Sequence, residues 1–167
     1  MKKELSNTAK VSKAIRTELK KNFPDVKFSV RMEHHGCVNV RYSNAITKDK
    51  VEAITNKYQI GSFDGMTDCY EYTNKRDDIP QIEYVFVQRD WSMKTQIKIN
   101  QMLDKYYVSE QSSSYNRQDN FYQIFNVLEF DENEEISNLD EIDIENNYKI
   151  PNVLCNFIHD LRKPVKI

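Results

Sequence analysis

Val26-Lys27-Phe28-Ser29-Val30-Arg31-Met32, followed after Glu33-His34-His35 by Gly36-Cys37-Val38-Asn39-Val40-Arg41-Tyr42, is the stretch on which the fold turns. In both segments apolar and polar residues alternate strictly, the period-2 pattern of a strand with one buried face. The connector is short enough for a hairpin, so the pair is expected to be antiparallel. The outward faces then carry Lys27, Ser29 and Arg31 on one strand and Cys37, Asn39 and Arg41 on the next.

Upstream, Val11, Ala14, Ile15 and Leu19 recur at helical spacing and predict an amphipathic helix over residues 8–22. Ser6 or Thr8 supplies its N-cap oxygen, Lys20 and Lys21 oppose its dipole, and Pro24 ends it. Downstream, Val51, Ile54 and Tyr58 mark a second helix over about residues 48–59. Gly61-Ser62-Phe63-Asp64-Gly65-Met66-Thr67-Asp68 then breaks the pattern, with two of the chain's three glycines. Cys69 to Tyr72 reads as a short strand and Asn74 to Pro80 as a charged loop. Ile82 to Gln88, rich in β-branched and aromatic residues, is the strongest strand. Ile99, Met102, Leu103 and Tyr106 give a third helix ending near Tyr107.

The order helix-strand-strand-helix-strand-helix predicts an α+β fold: a small antiparallel sheet with helices on one face. Gln111 to Ser114 is a loop signal. It divides a body, residues 1–107, from a C-terminal extension, residues 108–167, expected to pack on the body. Phe121, Phe125 and Leu128 have helical spacing, Asp131 to Asn147 reads mostly as acidic loop, and Pro151 opens a last helix striped by Leu154, Phe157 and Ile158.

A chain of 167 residues suits one domain with an extension. Three widely spaced cysteines, Cys37, Cys69 and Cys155, argue for a reducing compartment rather than a disulfide framework. The lysine-bearing start lacks the apolar core of a signal peptide, and no apolar run is long enough to span a bilayer, so a cytoplasmic protein is expected. The net charge of −2 conceals a split: residues 1–117 carry +5, residues 118–148 carry −10 and residues 149–167 carry +3. Such a chain can bind nucleic acid, mimic it, or balance its own charge.

Four blocks resemble a known family: Ile15-Arg16-Thr17-Glu18-Leu19-Lys20, then Phe23 to Arg31, then Phe63-Asp64-Gly65-Met66-Thr67-Asp68, then Tyr84-Val85-Phe86-Val87-Gln88-Arg89. In this order they are similar to the large polyvalent protein-associated domains of phage, plasmid and conjugative-element proteins. The resemblance covers roughly residues 8–92. It implies a role in conflict between mobile elements and their hosts, such as countering nucleic-acid-based defence. It implies no activity and does not extend to the acidic segment.

Asp64, Gly65 and Asp68, with Phe63, read first as a tight turn in which Gly65 supplies a positive φ and the carboxylates cap backbone N–H groups. A second reading places a small enzyme at Asp64, Asp68 and Arg89. His34, His35 and Cys37 carry zinc donors, but adjacent strand residues point to opposite faces and no second cluster lies nearby. Cys155 and His159 share a helix face as a packing pair. Lys27, Arg31, Arg41 and Arg89 would form a basic platform if they share one sheet face, with Tyr70 and Tyr72 as stacking surfaces for single-stranded nucleic acid. Glu132, Glu134, Glu135, Asp140 and Glu141 would act as phosphate surrogates, as a mask over the basic face, or as a solvated loop. No nucleophile elbow, P-loop, HExxH or dinucleotide fingerprint is present. No catalytic residue, cofactor or metal is therefore assigned. The expected partner is nucleic acid or a host nucleic-acid-processing protein.

Overall fold

The computed structural model describes residues 5–33, 36–106, 114–142 and 152–162. The chain divides into two compact units, residues 1–43 with 48–90, and residues 44–47 with 91–167.

The first unit begins with helix α1, Asn7–Asn22. Ser6 caps it, its hydroxyl accepting from the Ala9 N–H at 3.3 Å. Strands β1, Ser29–Glu33, and β2, Cys37–Ser43, pair antiparallel with Val30 opposite Val40 and Arg31 opposite Asn39, so the expected hairpin is present. Gly36 takes φ 89° at the connector, a conformation that a side chain would strain. Helix α2, Lys48–Thr55, continues into a short 3₁₀ turn, Asn56–Tyr58. Strands β3, Ser62–Asp64, and β4, Cys69–Glu71, form a separate two-stranded ribbon. Strand β5, Tyr84–Asp90, then completes the order β1-β2-β5.

The α+β class holds, but the expectation of an antiparallel sheet is corrected. Strand β5 runs parallel to β2, with Cys37 opposite Tyr84 and Ser43 opposite Asp90, so the three-stranded sheet is mixed. Parallel neighbours need a crossover connection, and α2 with the β3–β4 ribbon supplies it.

One face of this sheet is closed. Val30, Val38, Val40 and Tyr42 are buried there with Val11, Ile15 and Leu19 of α1 and Val51 of α2. Helix α1 packs on β1 and β2, and α2 on β5. Removing such side chains from water is worth about 1.5–3 kcal/mol each.

The second unit contains helices α3, Met93–Tyr106, α4, Ser114–Val127, and α5, Asn152–Arg162. Helix α3 packs on α4 and α5. Its core joins Ile99 and Leu103 to Ile124, Phe125 and Leu128 and to Leu154 and Ile158. Trp91 meets Phe121 and Phe125 edge-on, with both centroid separations at 5.5 Å. Asn44–Thr47 belongs to this unit: the Ala45 carbonyl accepts from the Phe130 N–H at 2.9 Å, and the Thr47 N–H donates to Glu129 Oε1 at 2.9 Å.

Candidate functional site

The outer face of the three-stranded sheet is built by strand parity. Residues on β1, β2 and β5 that lie opposite one another share a face. Three rows result: Glu33-Cys37-Tyr84, Arg31-Asn39-Phe86 and Ser29-Arg41-Gln88. Arg31 and Arg41 are therefore diagonal neighbours across β1 and β2, about 7–8 Å apart at Cβ by strand geometry. Both are exposed, as is Lys27 just ahead of β1.

Arg41 reaches Asp90 at 3.2 Å, with both side chains well exposed. Exposed pairs of this kind contribute about 0–1 kcal/mol, so the contact is easily exchanged. Among the described residues, Lys27 and Arg31 have no ion-pair partner.

Arg89 does not join them. It stands opposite Tyr42, on the covered face with Val85 and Val87, and is 7% exposed. The basic platform inferred from sequence thus keeps Lys27, Arg31 and Arg41 and loses Arg89.

Beside the cations runs a line of aromatic rings. Tyr72 meets Tyr70 at 5.1 Å, Tyr70 meets Tyr84 at 5.4 Å, and Tyr84 lies parallel to Phe86 at 5.9 Å with planes 9° apart. The Tyr70 hydroxyl donates to the Glu83 carbonyl, fixing the ribbon to the start of β5. Burial raises the pKa of this hydroxyl, which keeps it protonated as a donor. The two ends of the line are open: Tyr72 is 61% and Phe86 55% exposed. Of the two tyrosines expected to offer stacking surfaces, Tyr72 is exposed and Tyr70 half-buried; Tyr84 and Phe86 were not among the sequence candidates. Their run, Tyr84-Val85-Phe86-Val87, is apolar throughout, so alternation did not assign them to a face.

The glycine-bearing turn has a structural explanation. Asp64 Oδ1 accepts from the Met66 N–H and Oδ2 from the Thr67 hydroxyl, each at 2.9 Å. These hydrogen bonds hold the Asp64 carboxyl below its usual pKa. The positive φ falls on Asp68, at 54°, and not on Gly65, a correction to the expected roles. Aspartate tolerates this region better than most residues. Phe63 is 52% exposed on β3, opposite Tyr70. Gly61 is the glycine that sterics demand: a Cβ there would fall 1.9 Å from the Glu71 carbonyl oxygen.

The other candidates do not converge. Asp64 ends β3, Asp68 closes the turn that follows it, and Arg89 lies on the covered sheet face. His34 and His35 lie outside the described residues. Burial and Glu33 push the Cys37 thiol up, away from a reactive thiolate. Cys155 is half-buried and His159 exposed. Among the described residues, no group of three or more His, Cys, Asp and Glu is placed to hold a metal.

The acidic residues sit in the second unit. Glu134 Oε2 accepts from the Ser92 hydroxyl at 2.6 Å, and Lys98 bonds both the Glu134 carbonyl and the Glu135 carboxylate. These two glutamates are thus held by α3 itself. Glu132, Asp140 and Glu141 are exposed.

No described helix is long and apolar enough to cross a membrane. No curated protein and no solved structure matches this chain. The family described as Large polyvalent protein associated domain 29 matches residues 6–101, more than half of the sequence. That span takes in α1, the mixed sheet, the aromatic ribbon and most of α3. The chain therefore belongs to the Large polyvalent protein associated domain 29 family, a domain associated with the polyvalent proteins of mobile elements.

Proposed function

We propose that this chain is a non-enzymatic interaction module of a mobile element, which engages nucleic acid through the outer face of its mixed sheet and acts against host defence. The observation that carries this reading is that Arg31 and Arg41 share, with exposed aromatic rings, a sheet face that neither α1 nor α2 covers. Cations supply attraction to phosphate, and flat apolar rings supply surface for bases. The family's association with the polyvalent proteins of mobile elements is in keeping with this reading.

Three phosphate contacts, from Lys27, Arg31 and Arg41, give log affinity against log salt a slope of about −2 to −3. Fluorescence anisotropy with labelled oligonucleotides tests this. Binding that weakens along that slope, and weakens further in Arg31→Ala with Arg41→Ala, supports the reading. Absence of binding at low salt removes it. Capture from a host lysate before and after nuclease treatment then separates the two partner classes: a host protein retained after nuclease transfers the role to protein recognition.

A further inference from the structure

The outer face also carries information about which form of nucleic acid it takes, an inference that rests on the reading just given. Duplex DNA offers phosphates and groove edges, but its base faces are hidden in the stack. A protein reading a duplex needs an element that enters a groove, a helix or a two-stranded ribbon with polar side chains at its contact surface. The ribbon beside this face, β3–β4, carries Asp64 and Asp68 at its turn, and carboxylates there oppose entry into a phosphate-lined groove. The central row of the face is Arg31-Asn39-Phe86, and the rings of Phe86 and Tyr72 stand exposed beside the cations. Three strands at about 4.8 Å spacing make a platform about 10 Å across, the width of one extended strand rather than of a duplex.

We propose that the face takes a single strand of nucleic acid, with bases stacked on Phe86 and Tyr72 at the open ends of the aromatic line and phosphates drawn to Lys27, Arg31 and Arg41. Positive charge along the β1 and β2 side complements the backbone, while the rings of β5 and the ribbon meet the bases. Tyr70 and Tyr84, half-buried between the end rings, act as positioning residues: each packs edge-on to the other at 5.4 Å, and Tyr70 is tied to the Glu83 carbonyl. The Arg41–Asp90 pair is then a local competitor. Asp90 holds the guanidinium at 3.2 Å, and an incoming phosphate must displace it. Gln88, opposite Arg41, donates to Asp90 Oδ1 at 3.1 Å and gives that carboxylate a partner when Arg41 turns to a phosphate.

The test is anisotropy on the whole chain with a fluorescein-labelled mixed-sequence single strand and the hairpin duplex of the same sequence, at about 50 mM and about 200 mM salt. The single strand is expected to bind at least about tenfold more tightly than the duplex, because only it exposes base faces. Phe86→Leu, which keeps apolar bulk without an aromatic face, is expected to weaken single-strand binding between about 5-fold and about 150-fold, and Phe86→Trp to restore it. Asp90→Asn is expected to tighten binding and to steepen the salt slope by up to about 1, since it releases Arg41. A loss of folding cannot produce that gain. Equal affinity for strand and duplex, or Phe86→Leu binding like the parent, overturns the single-strand inference and leaves nucleic-acid engagement standing. No binding of either probe at about 50 mM salt overturns the engagement itself.

Discussion

The two faces of the mixed sheet share three strands and differ in almost everything else. The inner face buries Val30, Val38, Val40 and Tyr42 under two helices, yet it also receives Arg89. The outer face carries Arg31 and Arg41, yet it leaves Phe86 in solvent. Each face holds one residue that its surroundings argue against. Buried arginine is rare unless it is satisfied, and a lone exposed aromatic needs no explanation. A line of rings set beside two arginines is less ordinary. The lesson is that the inner face is specified by packing, so its side chains answer for stability. The outer face leaves Arg31, Arg41, Phe86 and Gln88 exposed, so packing constrains these positions less.

That contrast can be broken experimentally. The largest effect is expected from Leu19→Ala, which opens a cavity above the inner face at a fully buried position. It should cost about 2–5 kcal/mol in urea unfolding while leaving the outer-face residues unchanged. Gly61→Ala comes next, at about 1–3 kcal/mol, because the new methyl collides with the backbone of β4. It should also displace Tyr70, and altered tyrosine ring resonances would report that. Phe86→Thr sharpens the comparison from the other side: a change within about 0.5 kcal/mol is expected for an exposed strand position. A large loss there would show that the outer face is part of the core.

The smallest expected effect is on acid sensitivity. Asp64 has a folded pKa below its unfolded one. Its contribution is therefore fully present above the unfolded value, about 3.9, and is lost as pH falls through the lower folded value. Asp64→Asn should flatten the acid limb of the stability profile slightly and leave it unchanged near neutral pH. Melting curves across pH 2–7 would show whether it does.

The hairpin was readable because strict alternation fixes both register and face, and so Arg31 and Arg41 were correctly placed together. Strand direction in β5 was not readable, since alternation is the same in either direction and about 40 residues separate β5 from β2. Face assignment failed there too. Tyr84-Val85-Phe86-Val87 is apolar throughout, so period gives no parity, and Arg89 was set on the wrong side. The turn and its Asp64 cap were readable, but the positive φ was set on Gly65, its usual kind of bearer, and Asp68 took that role. Helix α3 was seen, but periodicity marks a helix's apolar face without naming the surface it meets.

Asn44–Thr47 has a consequence for how the protein is made and cut. These residues are flanked by parts of the first unit but complete the second, and the Thr47 N–H reaches its acceptor 82 residues further along. A ribosome delivers the chain from its N-terminus, so this short segment leaves the exit tunnel long before Glu129 exists to receive it. Until then Asn44, which ends up 5% exposed, waits in water. Trimming the gene after Asp90 would reproduce that wait permanently. A shortened product that aggregates would therefore report on an orphaned segment, and not on the worth of the sheet.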